Sequence, residues 1–212
     1  MFGSLVRFML RPIHRFLIMR TNVTDPWAVA PSFVIKPTQL APGSTRPFAW
    51  YFEGTSTVAV NTIQDITEWL AGCQYIRDIE LFHESDYWQH PTTFEQLRRG
   101  DCEDHALWAW RKLVELGLTA HLYVGQCDPI KDESRHHAWV VFEDQGTSYL
   151  LEPVNKPPST QVRLLEEVRS EYRPHYAVDP AFRVHVLEGL LLYWRDQEMA
   201  RRAKRKGAQQ AA

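Results

Sequence analysis

Three side chains in this sequence have the types that acyl-transfer chemistry requires: Cys102, His137 and Glu152. A thiol attacks a carbonyl only as its thiolate. The run Gly100-Asp101-Cys102-Glu103-Asp104 sets Cys102 at the start of an expected helix, where the macrodipole and the unpaired N–H groups favour an anion. Asp101, Glu103 and Asp104 oppose that by like charge, so the thiolate needs a cationic partner, for which an imidazolium is suited. His137, opening His137-Ala138-Trp139-Val140-Val141, is that partner, and Glu152, closing Tyr149-Leu150-Leu151-Glu152, is the acid that accepts from the second ring nitrogen. A four-residue turn Glu143–Gly146 pairs Phe142 with Thr147 and sets His137 opposite Glu152, about 5 Å apart on one face. A three-residue loop moves the register by one and separates them.

The elements that must position these groups follow from capping and period. Asp101 caps a helix over 102–116, with Asp104 at its third position and Gly117 where a left-handed residue belongs. Cys102, Ala106, Ala109, Leu113 and Leu116 form its buried stripe. Thr62 and Asp65 begin an earlier helix over 62–72, and 93–97 forms a short one. Proline-rich residues 24–52 read as an extended lead-in without helix, and 79–91 as irregular. Strands are expected at 120–126, 136–143 and 148–152, the last two joined at Asp144-Gln145-Gly146. A helix at 162–170, a strand at 177–186 and a closing helix from about Leu187 complete the reading. The division is a basic arm and lead-in at 1–55, a catalytic domain at 56–190 and a basic helix end and tail at 191–212.

The 212 residues carry 24 basic and 26 acidic side chains. Residues 1–24 have four arginines and no acid, and residues 195–212 have six basic and two acidic groups, which leaves the body at −10. Three cysteines cannot all pair, so at least one thiol is free and a reducing, cytoplasmic setting is expected. Arg7, Arg11, Pro12 and Arg15 interrupt the apolar residues of the first twenty before a secretory core forms, and no stretch reaches membrane-spanning length. Residues 1–20 read as an arm on the acidic body, with membrane contact or atypical periplasmic export as the alternatives. Cys73 and Cys127 read as small buried hydrophobes, His136 as pointing away from His137, and His105 as solvent-facing. CxxC and HExxH zinc spacings and phosphate-cradling glycine motifs are absent, and no specific nucleic-acid partner is expected.

The strings Gly100-Asp101-Cys102-Glu103-Asp104, His137-Ala138-Trp139 and Leu151-Glu152-Pro153, with Tyr87-Trp88-Gln89 upstream, resemble the bacterial transglutaminase-like cysteine proteinases, a branch of the papain-like superfamily. The resemblance spans residues 86–153. It implies an α+β fold in which the cysteine begins a central helix packed on a small antiparallel sheet, and a Cys102-His137-Glu152 triad acting on protein or peptide amides. Those relatives usually have aspartate where this chain has Glu152. The same triad serves hydrolysis and amine transfer, so a thiol protease or amidase and a transglutaminase remain open, as does a non-catalytic binding module on this fold. The Cys102 backbone N–H is the default oxyanion donor, with Trp88 and Gln89 as side-chain candidates. The chemistry requires no cofactor. Relatives that cleave surface adhesins depend on calcium, which this resemblance would place at Asp101, Glu103 and Asp104.

Overall fold

The computed structural model describes residues 19–31, 34, 40–128 and 136–210, and the side chains among them as far as residue 205. The first eighteen residues, and with them the membrane-contact alternative, lie outside the described residues. The lead-in contains a 3-10 turn at Phe48–Phe52 where no helix was expected; Pro47 starts it and burial of Phe48 and Tyr51 holds it. Helix α1, Ile63–Ala71, begins with a reciprocal box in which Thr62 Oγ1 accepts from Asp65 N–H and Asp65 Oδ2 accepts from Thr62 N–H. Strand β1 (Gln74–Tyr75) and the short helix α2 (Asp78–Leu81) follow, the helix lying at the edge of the stretch read as irregular. Helix α3 (Pro91–Leu97) leads to β2 (Arg99–Gly100), which pairs parallel with β1. The central helix α4 spans Cys102–Glu115. Beyond its cap at Leu116, Gly117 has the expected positive φ of 82°.

A six-stranded antiparallel sheet supplies the other layer: β3 (Thr119–Cys127), β4 (His136–Asp144), β5 (Thr147–Leu151), β6 (Val162–Leu164), β7 (Tyr172–Val178) and β8 (Val184–Val186), in the order β6-β5-β4-β3-β7-β8. The segment expected as one helix at 162–170 divides instead. Val162–Leu164 pairs with β5, so ladder formation overrides helix propensity, and only Leu165–Val168 (α5) is α-helical before a 3-10 turn at Arg169–Glu171. The single strand expected at 177–186 is also two strands. Between them Asp179 Oδ1 accepts from the N–H groups of Ala181 and Arg183, both at 2.9 Å, an aspartate turn that folds β8 back on β7. Helix α6, Glu188–Gln210, closes the chain and packs on β7. Among the described residues no helix is long and apolar enough to cross a membrane.

Alternation along the strands gives the sheet two apolar faces. Ala120, Leu122, Ala138, Val140, Phe142 and Leu151 face the main core with Ala106, Ala109, Trp110 and Leu113 of α4 and Ile66 and Leu70 of α1. Each fully buried leucine there is worth roughly 1.5–3 kcal/mol of transfer free energy, which is what clamps α4 on the sheet. Trp139, Val141, Leu150, Cys127 and Tyr172 form a second cluster on the opposite face.

Candidate functional site

The site is built where the N-terminus of α4 meets the first residues of β4. Asp101 caps the helix: its carboxylate accepts from the Asp104 backbone N–H, and Asp104 Oδ2 accepts in return from Asp101 N–H at 3.3 Å. Asp104 is fixed further by Gln89, whose backbone N–H donates to Oδ1 at 2.8 Å and whose side-chain Nε2 donates to Oδ2. Gly100 is required by this packing, because a Cβ there would lie 2.2 Å from Asp104 Oδ2 and 2.6 Å from Gln89 Nε2. Gly100, Asp101 and Asp104 therefore shape the helix start that carries Cys102.

His137 and Glu152 meet directly and are both buried. Imidazole Nε2 lies 2.8 Å from Glu152 Oε1 and 2.9 Å from Oε2. The hairpin that brings them together is tighter than the four-residue turn considered above. Gln145 and Gly146 alone form it, with φ of 49° and 79°, the pattern of a type I′ turn, and Asp144 pairs with Thr147. Phe142 therefore pairs with Tyr149 rather than Thr147. The register moves by two residues, which preserves the face, so Glu152 meets His137 from a diagonal position. Tyr172 Oη also donates to Glu152 Oε2, at 3.0 Å.

Cys102 approaches the same strand from the α4 side, with the Ala138 backbone beside its thiol. Its thiol donates to Glu103 Oε2 at 3.3 Å, so the hydrogen bond that the structure gives the sulfur goes to a carboxylate and not to His137. Burial first, then the charges of Glu103 and Asp101, push the Cys102 thiol well above its ordinary range, and the Ala138 backbone pulls weakly the other way. The opposition read from the flanking acids is thus realised for Glu103 and Asp101.

Those acids belong to a larger cluster. Asp78 of α2 and Asp86 join Asp101, Glu103 and Asp104, and three overlapping trios of groups each bring their ligand atoms within 4.8 Å: Asp101, Cys102 and Glu103; Asp78, Asp101 and Asp104; Asp78, Asp86 and Glu103. Asp78 Oδ1, Asp101 Oδ1 and Glu103 Oε1 are buried with no hydrogen-bond partner among the described residues. Burial, reinforced by the neighbouring carboxylates, raises Asp101, Glu103 and Asp104 and pushes Asp78 up to about 6. Several carboxylates with spare lone pairs and raised affinities for protons form a donor set that suits a hard divalent cation.

The other sequence candidates are placed as follows. Both amide hydrogens of Gln89 Nε2 are engaged, one by Asp104 and one by the Arg99 carbonyl at 3.0 Å, which makes Gln89 a support for Asp104 rather than a free oxyanion donor. Trp88 is buried and its indole N–H donates to Asp86 Oδ1 at 3.3 Å, so it too is turned inward. His105, read as solvent-facing, is fully buried; its Nδ1 bonds the Asp101 carbonyl at 2.7 Å and burial pushes the ring down to about 4. It lies on the inner side of the first helical turn, where the Tyr75 and Phe94 rings flank it. His136 is exposed at the strand end while His137 is buried, and Cys73 and Cys127 are buried, all as expected. Sequence reasoning missed Asp78, Asp86 and Tyr172, which arrive from separate segments with no local spacing to mark them.

A family model describing the CEP76 peptidase-like domain matches residues 86–182, a span that holds Cys102, His137 and Glu152. No curated protein sequence matches the chain significantly. Among solved structures it is similar to Legionella pneumophila LapG. The calcium-bound LapG structure has 17% identity and a TM-score of 0.46 over 58% of this chain and 66% of that one. The EGTA-treated LapG structure has 17% identity and a TM-score of 0.44 over 56% and 62%. A further LapG structure has 16% identity and a TM-score of 0.46 over 66% and 76%. The chain thus spans just under two thirds of the first two LapG chains.

Proposed function

We propose that this protein is a cysteine peptidase or amidase in which Cys102 attacks an amide carbonyl, His137 exchanges the proton and Glu152 orients His137. The observation that carries the reading is the buried His137–Glu152 pair at the strand end on which the Cys102 helix abuts. The peptidase-like family match over the same residues supports it. Because Nε2 is committed to Glu152, Nδ1 is the nitrogen left to take the thiol proton and later to protonate the leaving amine. The Cys102 backbone N–H, first in α4, is the oxyanion donor. Water resolves the thioester; an amine acceptor in its place would make the same triad a transglutaminase.

The carboxylate cluster fits calcium: Asp78, Asp101 and Asp104 make one set of oxygen donors and Asp78, Asp86 and Glu103 another, so the expected acids Asp101, Glu103 and Asp104 are joined through Asp78. Bound there, the ion would offset the negative charge that now surrounds the thiol. What this chain's own residues do is separate: Gln89 and Gly100 hold Asp104 in place, and Asp101 shapes the helix start.

The test is the rate of iodoacetamide alkylation at Cys102 against pH, read by peptide mass spectrometry, in wild type, His137→Ala and Glu152→Gln, each with calcium and with chelator. The expected result is selective reaction at Cys102 in calcium with an apparent pKa below the ordinary thiol value of about 8.5, returning towards it in His137→Ala. Ordinary behaviour in wild type under both conditions would turn the search to binding partners instead.

A further inference from the structure

Glu152 stands where an aspartate is the shorter and stiffer choice, and its extra methylene gives the carboxylate one more torsion along which to lose His137. Both oxygens lie within 0.1 Å of the same distance from Nε2, so the imidazole alone does not select one. The third contact does. Tyr172, 2% exposed at the start of β7, donates its hydroxyl hydrogen to Oε2 at 3.0 Å. The direction of that bond is set from the other side, because Arg163 Nη2 lies 3.3 Å from Tyr172 Oη and a guanidinium can only donate. The phenol has one hydrogen, and with its oxygen accepting from Arg163 that hydrogen goes to Glu152. Arg163 is itself held by Glu171 at 3.2 Å, and the Tyr172 ring packs on Trp139, centroids 4.9 Å apart, in the cluster that also holds Leu150. The phenol stays protonated, since burial and the Glu152 charge both push its ionisation up.

We propose that Tyr172 is a positioning residue for the triad: its hydroxyl, oriented by Arg163, pins Oε2 of Glu152 so that the carboxylate holds His137 in one tautomer and one ring orientation. This rests on the triad reading above, and its test separates the two. Cys102 alkylation by iodoacetamide at pH 7 in calcium is compared across wild type, His137→Ala, Glu152→Gln, Tyr172→Phe and Arg163→Met, with the downfield NMR signal of the His137 ring N–H as a second readout. Tyr172→Phe keeps the ring against Trp139 and removes only the hydroxyl. Alkylation should slow by about tenfold, the scale of one hydrogen bond to a charged group. The ring-proton signal should move further downfield, because Glu152 then concentrates its charge on a single donor. Arg163→Met, changed at a residue with a third of its side chain exposed, should move both readouts in the same direction by less, and it keeps the proposal testable if Tyr172→Phe fails to fold. Wild-type alkylation and an unmoved ring proton in both variants, beside slow His137→Ala and Glu152→Gln proteins, would overturn the positioning role and leave the triad standing. Unchanged alkylation in His137→Ala and Glu152→Gln as well would overturn both.

Discussion

Helix α4 is flanked by two groups of buried carboxylates that the fold treats in opposite ways. Glu95 of α3 packs on its middle and is fully provided for. It accepts from Ser56 Oγ, from Thr57 N–H at 2.8 Å and Oγ1 at 3.1 Å and from Trp108 Nε1 at 3.0 Å, and it faces Lys112 Nζ at 3.5 Å. Those donors hold its carboxyl below the ordinary range although burial alone pushes the other way. At the N-terminal end, Asp78, Asp101, Glu103 and Asp104 have no ion pair among the described residues and are all raised. Burial acts on both regions; at Glu95 its donors and the Lys112 cation outweigh it, whereas at the helix start no cation does, and that separates a structural carboxylate from one left ready for a ligand.

The sharpest way to break this comparison is to remove the cation from the satisfied side. Lys112→Met should cost about 3–5 kcal/mol, because both Lys112 and Glu95 side chains are 1% exposed and Glu95 would be left as an unpaired buried charge. Urea denaturation measures it, and a loss below about 1 kcal/mol would mean that the neutral donors suffice. On the other side, adding a cation should do what Lys112 does. Calcium at a hundredfold excess over Kd should stabilise wild type by about 2.7 kcal/mol relative to chelator, seen as a raised thermal midpoint. Glu95→Gln should keep that response and Asp101→Asn should lose most of it. Next in size is Gly100→Ala, expected to cost about 1–3 kcal/mol by forcing Asp104 and Gln89 apart, and to weaken the calcium response with it. The acid limb separates the regions by sign. A carboxyl depressed in the folded state, as Glu95 is, contributes stability above its unfolded value near 4.5 that is lost as pH falls through the folded value. Wild type should therefore lose stability on acidification below about pH 4.5 faster than Glu95→Gln, by less than about 1.4 kcal/mol per pH unit.

How much of this was legible in the sequence depends on how far apart the partners lie. The central helix was readable to within a residue because its cap, its stripe and Gly117 are local signals. The His137–Glu152 contact was legible as a pairing of types, but the turn was not, since Gln145 occupies a left-handed position that residue identity marks weakly. Val162–Leu164 and the break at Asp179 depended on which strand offered a ladder, a tertiary fact. Glu95 drew no notice at all, because its partners come from Ser56, Thr57, Trp108 and Lys112. Asp78, Asp86 and Tyr172 were hidden in the same way: each makes a contact that positions it with a residue nine or more positions away.

The smallest expected effect is also the one that tests the comparison most narrowly. Asp78 Oδ2 accepts from the Tyr87 backbone N–H at 2.5 Å, while Oδ1 is buried without a hydrogen-bond partner among the described residues, in the cluster with the other acids. In Asp78→Asn the amide keeps its oxygen on Tyr87 and turns its NH2 towards Asp101 and Glu103, so one like charge is removed and a donor is supplied to oxygens that lacked one. Metal-free protein should then be unchanged or more stable by up to about 1 kcal/mol, where loss of a buried group's charge usually destabilises. The same variant should respond less to calcium, because an oxygen of the cluster has been given up. Denaturation in chelator and in calcium reads both effects on one sample. A destabilised chelated variant would mean that Asp78 is held by its surroundings as Glu95 is, and the contrast between the two ends of α4 would not hold there.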